Sequence, residues 1–272
     1  LAALPARLAA AAFLSASAGW WGMMVATDGN EALMMHNAGL YYVDESDRFE
    51  VLDWWLHETM SIVRRSVRTT SMNHLAFALP LWSSMGITGP YYNYNWLWRL
   101  VLQHSEGMKV LFIGQATKSI EAGFKNLRAY WKIPVSDFSL YTIETPQTTK
   151  GMLMPDSSSK ATTARIVQQI IQQFPDFDTA VLGCGSYGPP IMNALLNKYG
   201  RTKNMLYMGS SIYRMFGIKT EIMDFDSPLV NKDKAIWALE KFDPAFSGID
   251  KGKYWSKAPD IKTNESLGRW RG

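Results

Sequence analysis

The chain has 272 residues with a formal net charge of +4, and 47% of its side chains are hydrophobic against 19% charged. That balance excludes a largely disordered chain and suits one large α/β domain or two small ones, while a mild, dispersed charge with no block of Lys or Arg sets aside a nucleic-acid partner. The single cysteine, Cys184, excludes an internal disulfide framework and any multi-thiolate metal site.

In chain order, residues 1–18 read as an Ala-rich helix opened by Pro5 and ended by Gly19, because Ala and Leu are the best helix formers and Pro suits a helix start. The alternative is a signal-like segment, with one Arg, an apolar run over 8–14 and the small residues Ser15-Ala16-Ser17-Ala18. No run reaches the roughly 20 uninterrupted apolar residues that cross a bilayer, so no membrane span is expected. The expected compartment is cytoplasmic, or a secretory-pathway lumen if the first segment is a processed signal or anchor.

Residues 22–26 (GMMVA) form the first expected strand, which runs into Thr27-Asp28-Gly29-Asn30-Glu31, with a helix following through 32–38. Asp47 and Glu50 resemble a capping box. The amphipathic helix they open carries Leu52, Trp55, Leu56, Ile62 and Val63 on one face, and Glu50, Asp53, His57, Ser61 and Arg64 on the other. Residues 71–98 are aromatic and loop-like, with turn signals at Gly86 and Gly89-Pro90, and are expected to cover or line a cleft. The 11 Trp, 12 Tyr and 12 Phe suit sugar stacking, although most such rings fill cores.

From there the rhythm is regular. Strands are expected at 109–113, 139–143, 179–182 and 204–208, with helices at 119–130, 161–174 and 190–199 between them. Such alternation predicts right-handed crossovers, hence an α/β, Rossmann-like layered fold with a mostly parallel sheet and helices on both faces. Residues 150–160 read as a loop and helix cap, with a substrate-closing lid as the alternative. The tail, 251–272, is polar and irregular. The whole chain, 1–272, reads as a single domain: an aromatic half with the acidic motif (20–100), a βαβ nucleotide-binding half (101–225) and a C-terminal tail (226–272).

The sharpest local pattern is Gly183-Cys184-Gly185-Ser186-Tyr187-Gly188 between a strand and a helix. Glycines there permit a tight turn and let backbone N–H groups approach a phosphate at the positive helix end; the plain alternative is a tight turn and nothing more. A dinucleotide site wants an acid at the end of the next strand, but that strand ends Met208-Gly209-Ser210-Ser211, which weakens the dinucleotide and S-adenosylmethionine readings. A P-loop needs Gly-Lys-Ser/Thr where this chain has Gly188-Pro189-Pro190. The serine-hydrolase elbow lacks its first Gly, and its order of Ser, acid, His fails because the last His is His104.

Asp28 and Glu31 stand where the first strand should end, a position from which carboxylates hold Mg2+ or Mn2+ beside a pyrophosphate. Equally, Asp28-Gly29 is a turn and Glu31 caps the next helix. His57-Glu58 begins a zinc-helix pattern, but Ser61 replaces the second His; His36, His74 and His104 have no assigned role.

The order of these motifs resembles the GT-D fold glycosyltransferases, a bacterial and viral family with a D-x-E metal motif. The family's opening Gly-Asp-Gly-Glu is similar to Thr27-Asp28-Gly29-Asn30-Glu31, although the spacing here is D-x-x-E. Its strand and following Ser/Thr-Ile helix are similar to Val110-Leu111-Phe112-Ile113-Gly114 and Lys118-Ser119-Ile120-Glu121, and its Pro-Gln-Thr to Pro146-Gln147-Thr148. The glycine loop, Lys198-Tyr199-Gly200, Met208-Gly209-Ser210, Phe216-Gly217-Ile218-Lys219 and Asn264-Glu265 follow in the family's order, roughly over residues 20–270; the family's Gly-Lys-Arg-Trp after Lys219 is absent.

The resemblance implies transfer of a sugar from a nucleoside-diphosphate donor, UDP-linked, to a hydroxyl of a glycan or glycoprotein acceptor. Asp28 and Glu31 would be the catalytic pair holding Mn2+ or Mg2+. Gly183, Gly185, Ser186 and Gly188, with Gly209 and Ser210, would cradle the nucleotide. Arg214 or Lys219 would add charge, and Asp224, Asp226 and Glu265 are candidate bases. The alternatives are an inactive relative serving as a binding or assembly subunit, and an S-adenosylmethionine-dependent methyltransferase.

Overall fold

The computed structural model describes residues 12–15, 39–65, 67–69, 100–131, 133–148, 153–209, 212–219 and 256–257. Its elements are β1 (Ala12–Ser15), α1 (Arg48–Arg65, entered through a 3-10 turn Glu45–Asp47), β2 (Val67–Thr69), β3 (Lys109–Gly114), α2 (Thr117–Lys125), α3 (Leu127–Tyr130), β4 (Ser139–Glu144), α4 (Ser159–Gln173), β5 (Thr179–Gly183), α5 (Gly188–Tyr199, preceded by a 3-10 turn Gly185–Tyr187), β6 (Asn204–Tyr207), α6 (Ile212–Met215), β7 (Ile218–Lys219) and β8 (Ser256–Lys257).

Six strands form one sheet in the order β2-β1-β6-β5-β3-β4, and every ladder in it is parallel. The expected Rossmann-like α/β layering is therefore the observed fold. The cause is visible in β3, which is apolar and buried from Val110 through Ile113, as a strand covered on both faces must be. Val110 and Phe112 enter one core with Ile120, Leu127, Trp131 and Tyr213. Leu111 and Ile113 enter the other with Ile62, Ile166, Ile170 and Ile191. Full burial of each such side chain contributes about 1.5–3 kcal/mol. Helices α2, α3 and α6 thus cover one face, and α1, α4 and α5 the other.

Four expectations change. Residues 12–15 are strand, not helix: paired parallel to β6 with Phe13 opposite Leu206, they satisfy an edge that would otherwise leave backbone groups unbonded. Helix α1 does not begin with the Asp47/Glu50 box. Asp44 caps the preceding turn by accepting from the Ser46 amide, and Glu50 instead pairs with Lys160 Nζ at 2.6 Å. The buried stripe of α1 is Val51, Trp55, Thr59 and Ile62, with Leu52 and Leu56 at its margin. The tail is not wholly irregular, since Ser256–Lys257 pairs with Ile218–Lys219. The strand expected at 22–26, the helix at 32–38 and the aromatic stretch 71–98 lie outside the described residues. Among the described residues no helix is long and apolar enough to cross a membrane.

Candidate functional site

The strand order makes one end of the sheet special. From β3 the chain crosses to β4 through α2 on one face; from β4 it returns across the other face through α4 to β5, on the opposite side of β3. Chains leaving β3 and β5 therefore diverge to opposite faces, which opens a crevice at their carboxyl ends, where ligands bind in such folds. Gly114 and Gly183 face each other in the ladder at this point.

Around the crevice stand the turns that follow three strands. After β3, Ala116 takes a left-handed conformation with φ 56° and precedes Thr117, the first residue of α2. It is the one described non-glycine residue at positive φ, a conformation that costs about 1–2 kcal/mol and that its complete burial holds in place. No side chain caps the start of α2. After β5 comes the glycine loop, and after β6 comes Gly209, with φ 56° and open space beside its α-carbon.

The glycines of the loop divide by role. A β-carbon on Gly183 would lie 2.5 Å from Ile212 Cγ2, and one on Gly188 would lie 2.2 Å from the Tyr207 ring, so both serve close packing. Gly185, with φ 56°, supplies the turn, and it alone of residues 183–188 is exposed. Ser186 is buried and its hydroxyl has no partner among the described residues.

Side chains brace this loop from both layers. Trp55 Nε1 donates to the Ser186 carbonyl at 2.7 Å, and the Tyr207 hydroxyl donates to the Gly185 carbonyl at 2.9 Å. The Tyr213 hydroxyl receives the Gln115 amide at 3.2 Å and donates to the Gly183 carbonyl at 3.3 Å, closing the floor of the crevice between β3 and β5. Thr148 Oγ1 donates to the Gly39 carbonyl at 2.7 Å, so the Tyr187 hydroxyl, 2.6 Å away, must donate to it. Burial pushes the ionisation of both Cys184 and Tyr187 far up, so neither is an anionic nucleophile or base near neutral pH.

Behind the loop, α1 and α5 share a polar seam. Asn193 Nδ2 donates to Glu58 at 2.7 Å, and Arg65 Nη1 reaches Asn193 Oδ1 at 3.1 Å and Asn197 Oδ1 at 2.6 Å. His57 is exposed on the outer side of α1, as the helix pattern predicts. The end of the 150–160 segment is tied down rather than free to swing. Ser158 caps α4 by accepting from the Ala161 amide at 3.3 Å, and Ser159 Oγ accepts the Tyr41 amide at 2.6 Å.

Of the sequence-derived site, Gly183, Gly185, Ser186, Gly188 and Gly209 come together at the carboxyl edge. Asp28, Glu31, Ser210, Asp224, Asp226, Glu265, His36 and His74 lie outside the described residues, as do the side chains of Arg214 and Lys219. One edge residue escaped the sequence reading as a site. Glu144 ends β4 directly across the ladder from Gly114, is exposed, and accepts from Thr117 Oγ1 at 3.1 Å. Its signal was a carboxylate ending the strand after a strand–Gly–helix unit, visible only once β3 is known to border the switch point. No protein-family model, curated protein or solved structure matches the chain.

Proposed function

We propose that the chain moves a sugar from a nucleoside-diphosphate donor, UDP-linked, to a hydroxyl of a glycan or glycoprotein. The observation that carries this reading is the convergence of the turns at Gly114–Ala116, Gly183–Gly185 and Gly209 on one switch-point crevice. Such a place suits a diphosphate, because backbone approaches closely and helix starts contribute partial positive charge. The resemblance of the motif order to the GT-D glycosyltransferases is what suggests the sugar and the metal. A divalent ion held by Asp28 and Glu31 would offset the charge gathering on the departing diphosphate.

The test is hydrolysis of UDP-sugars with Mn2+ by the wild type, Asp28→Ala and Glu31→Ala. Metal-dependent turnover lost in both variants is the expected outcome. If the chain neither turns over nor binds any nucleotide, the proposal fails and the reading as a binding or assembly subunit is favoured.

A second reading has one observation in its favour. Glu144 supplies the carboxylate at the end of the strand next to β3 that the stretch after β6 lacks, which is the place of a ribose-binding acid in a methyltransferase. Thermal shifts with UDP and with S-adenosylmethionine separate the two, since a bound ligand raises the melting temperature by mass action.

A further inference from the structure

We infer that Glu144 receives the vicinal hydroxyls of a ribose, so that the crevice selects ribonucleosides over their deoxy counterparts. The inference rests on the nucleotide reading and adds to it the part of the ligand that this edge of the sheet recognises.

Three observations place the carboxylate for that task. Gly114 and Glu144 are partners in the β3–β4 ladder, so Glu144 ends its strand one step from the crevice rather than along the body of the sheet. Thr117 Oγ1 donates to Glu144 Oε2, and Thr117 begins α2 immediately beyond β3. The bond therefore holds the carboxylate against the start of α2, just beyond the carboxyl end of β3. Finally, Glu144 is exposed, and among the described residues no Lys, Arg or His pairs with it. It is an anchored acceptor with one oxygen that no donor among the described residues takes up.

A carboxylate at a sheet edge can accept from two adjacent hydroxyls, and hydrogen bonds to a charged acceptor are about twice as strong as neutral ones. The scale fits as well. From Glu144 on β4 to the loop after β5 is two strand spacings, about 10 Å. That is the stretch from the ribose hydroxyls to the terminal phosphate of a nucleoside diphosphate. A ribose over β4 thus leaves the diphosphate over Gly183–Gly185, the exposed turn of the glycine loop.

The experiment is calorimetric titration of the full chain, in Mn2+, with UDP, 2′-deoxy-UDP, 3′-deoxy-UDP, ADP and S-adenosylmethionine, repeated on Glu144→Ala and Glu144→Gln. The expected result is that removing either hydroxyl weakens binding to the wild type about tenfold. Glu144→Ala should weaken UDP by a similar factor and erase the preference over the deoxy forms, with Glu144→Gln between the two. The melting temperature of the unliganded Ala variant should fall only slightly, because an exposed side chain is removed and one part-buried hydrogen bond from Thr117 is lost. If UDP or another of these ligands binds but the deoxy forms bind equally well and Glu144→Ala changes nothing, the ribose assignment is wrong while the nucleotide reading stands. If none of them binds the wild type, the nucleotide reading itself falls and takes this inference with it.

Discussion

Single residues hold the glycine loop in shape, and they do so in two distinguishable ways. Gly188→Ala would drive a methyl group into the Tyr207 ring at 2.2 Å, and a packed core cannot give by that much. We expect a loss of about 3 kcal/mol in urea unfolding. Gly209→Ala meets no atom of the described residues and loses the freedom of a positive φ, about 1 kcal/mol. Equal losses in the two would overturn the division between packing and turn glycines. Asp156 contributes to the acid limb. Hydrogen bonds from Arg165 hold its carboxyl below the ordinary value of 3.8, so the folded state binds that proton less readily than the unfolded state. Its contribution is fully present above the unfolded value and fades as pH falls through the folded one. Asp156→Asn should therefore lower stability at neutral pH and flatten the acid side of a stability-against-pH curve. The strand–turn–helix around residues 183–188 was legible in the sequence. Why its glycines are needed was not, because Tyr207 and Ile212 reach them from later elements and leave no mark on local spacing.

At the scale of elements, periodicity carried far. The strands expected over 109–113, 139–143, 179–182 and 204–208 match β3, β4, β5 and β6 to within a residue at each end. Helix 119–130 proved to be two, broken at Asn126, where the residue leaves helical geometry. What the sequence concealed was pairing. The segment at 12–15 has helix-forming composition but serves as a neighbour to β6, and tertiary need overrode local preference. Two substitutions test how elements are joined. Ser158→Ala removes the cap of α4 and should lower stability by about 1 kcal/mol. Trp55→Phe keeps most of the buried ring but strips the donor from the Ser186 carbonyl, a fully enclosed group. An orphaned carbonyl costs about 1–3 kcal/mol, and amide exchange across residues 184–188 should quicken if α1 braces the loop through that bond.

Across the whole molecule, alternation of strand and helix revealed the class of fold but not the order of its strands. That order decided which turn borders the crevice. Local spacing points to the end of β6, the strand after the glycine loop, for a ribose-binding acid, whereas the sheet sets Gly114 at the switch point and Glu144 beside it. A nucleotide bound at this edge should protect β3, β4 and β5 together, and hydrogen exchange with and without UDP should show slower exchange around 114–117 and 183–186. The same strand order governs how the chain reaches its final shape. Strand β3 meets β4 after the α2–α3 crossover, but it meets β5 only after β4 and α4 have been threaded past as well. The central ladder thus closes a larger loop than the β3–β4 pair and is expected to form after the barrier to folding. Truncating Ile143, in the early pair, should slow refolding. Truncating Leu182, in the late one, should chiefly hasten unfolding.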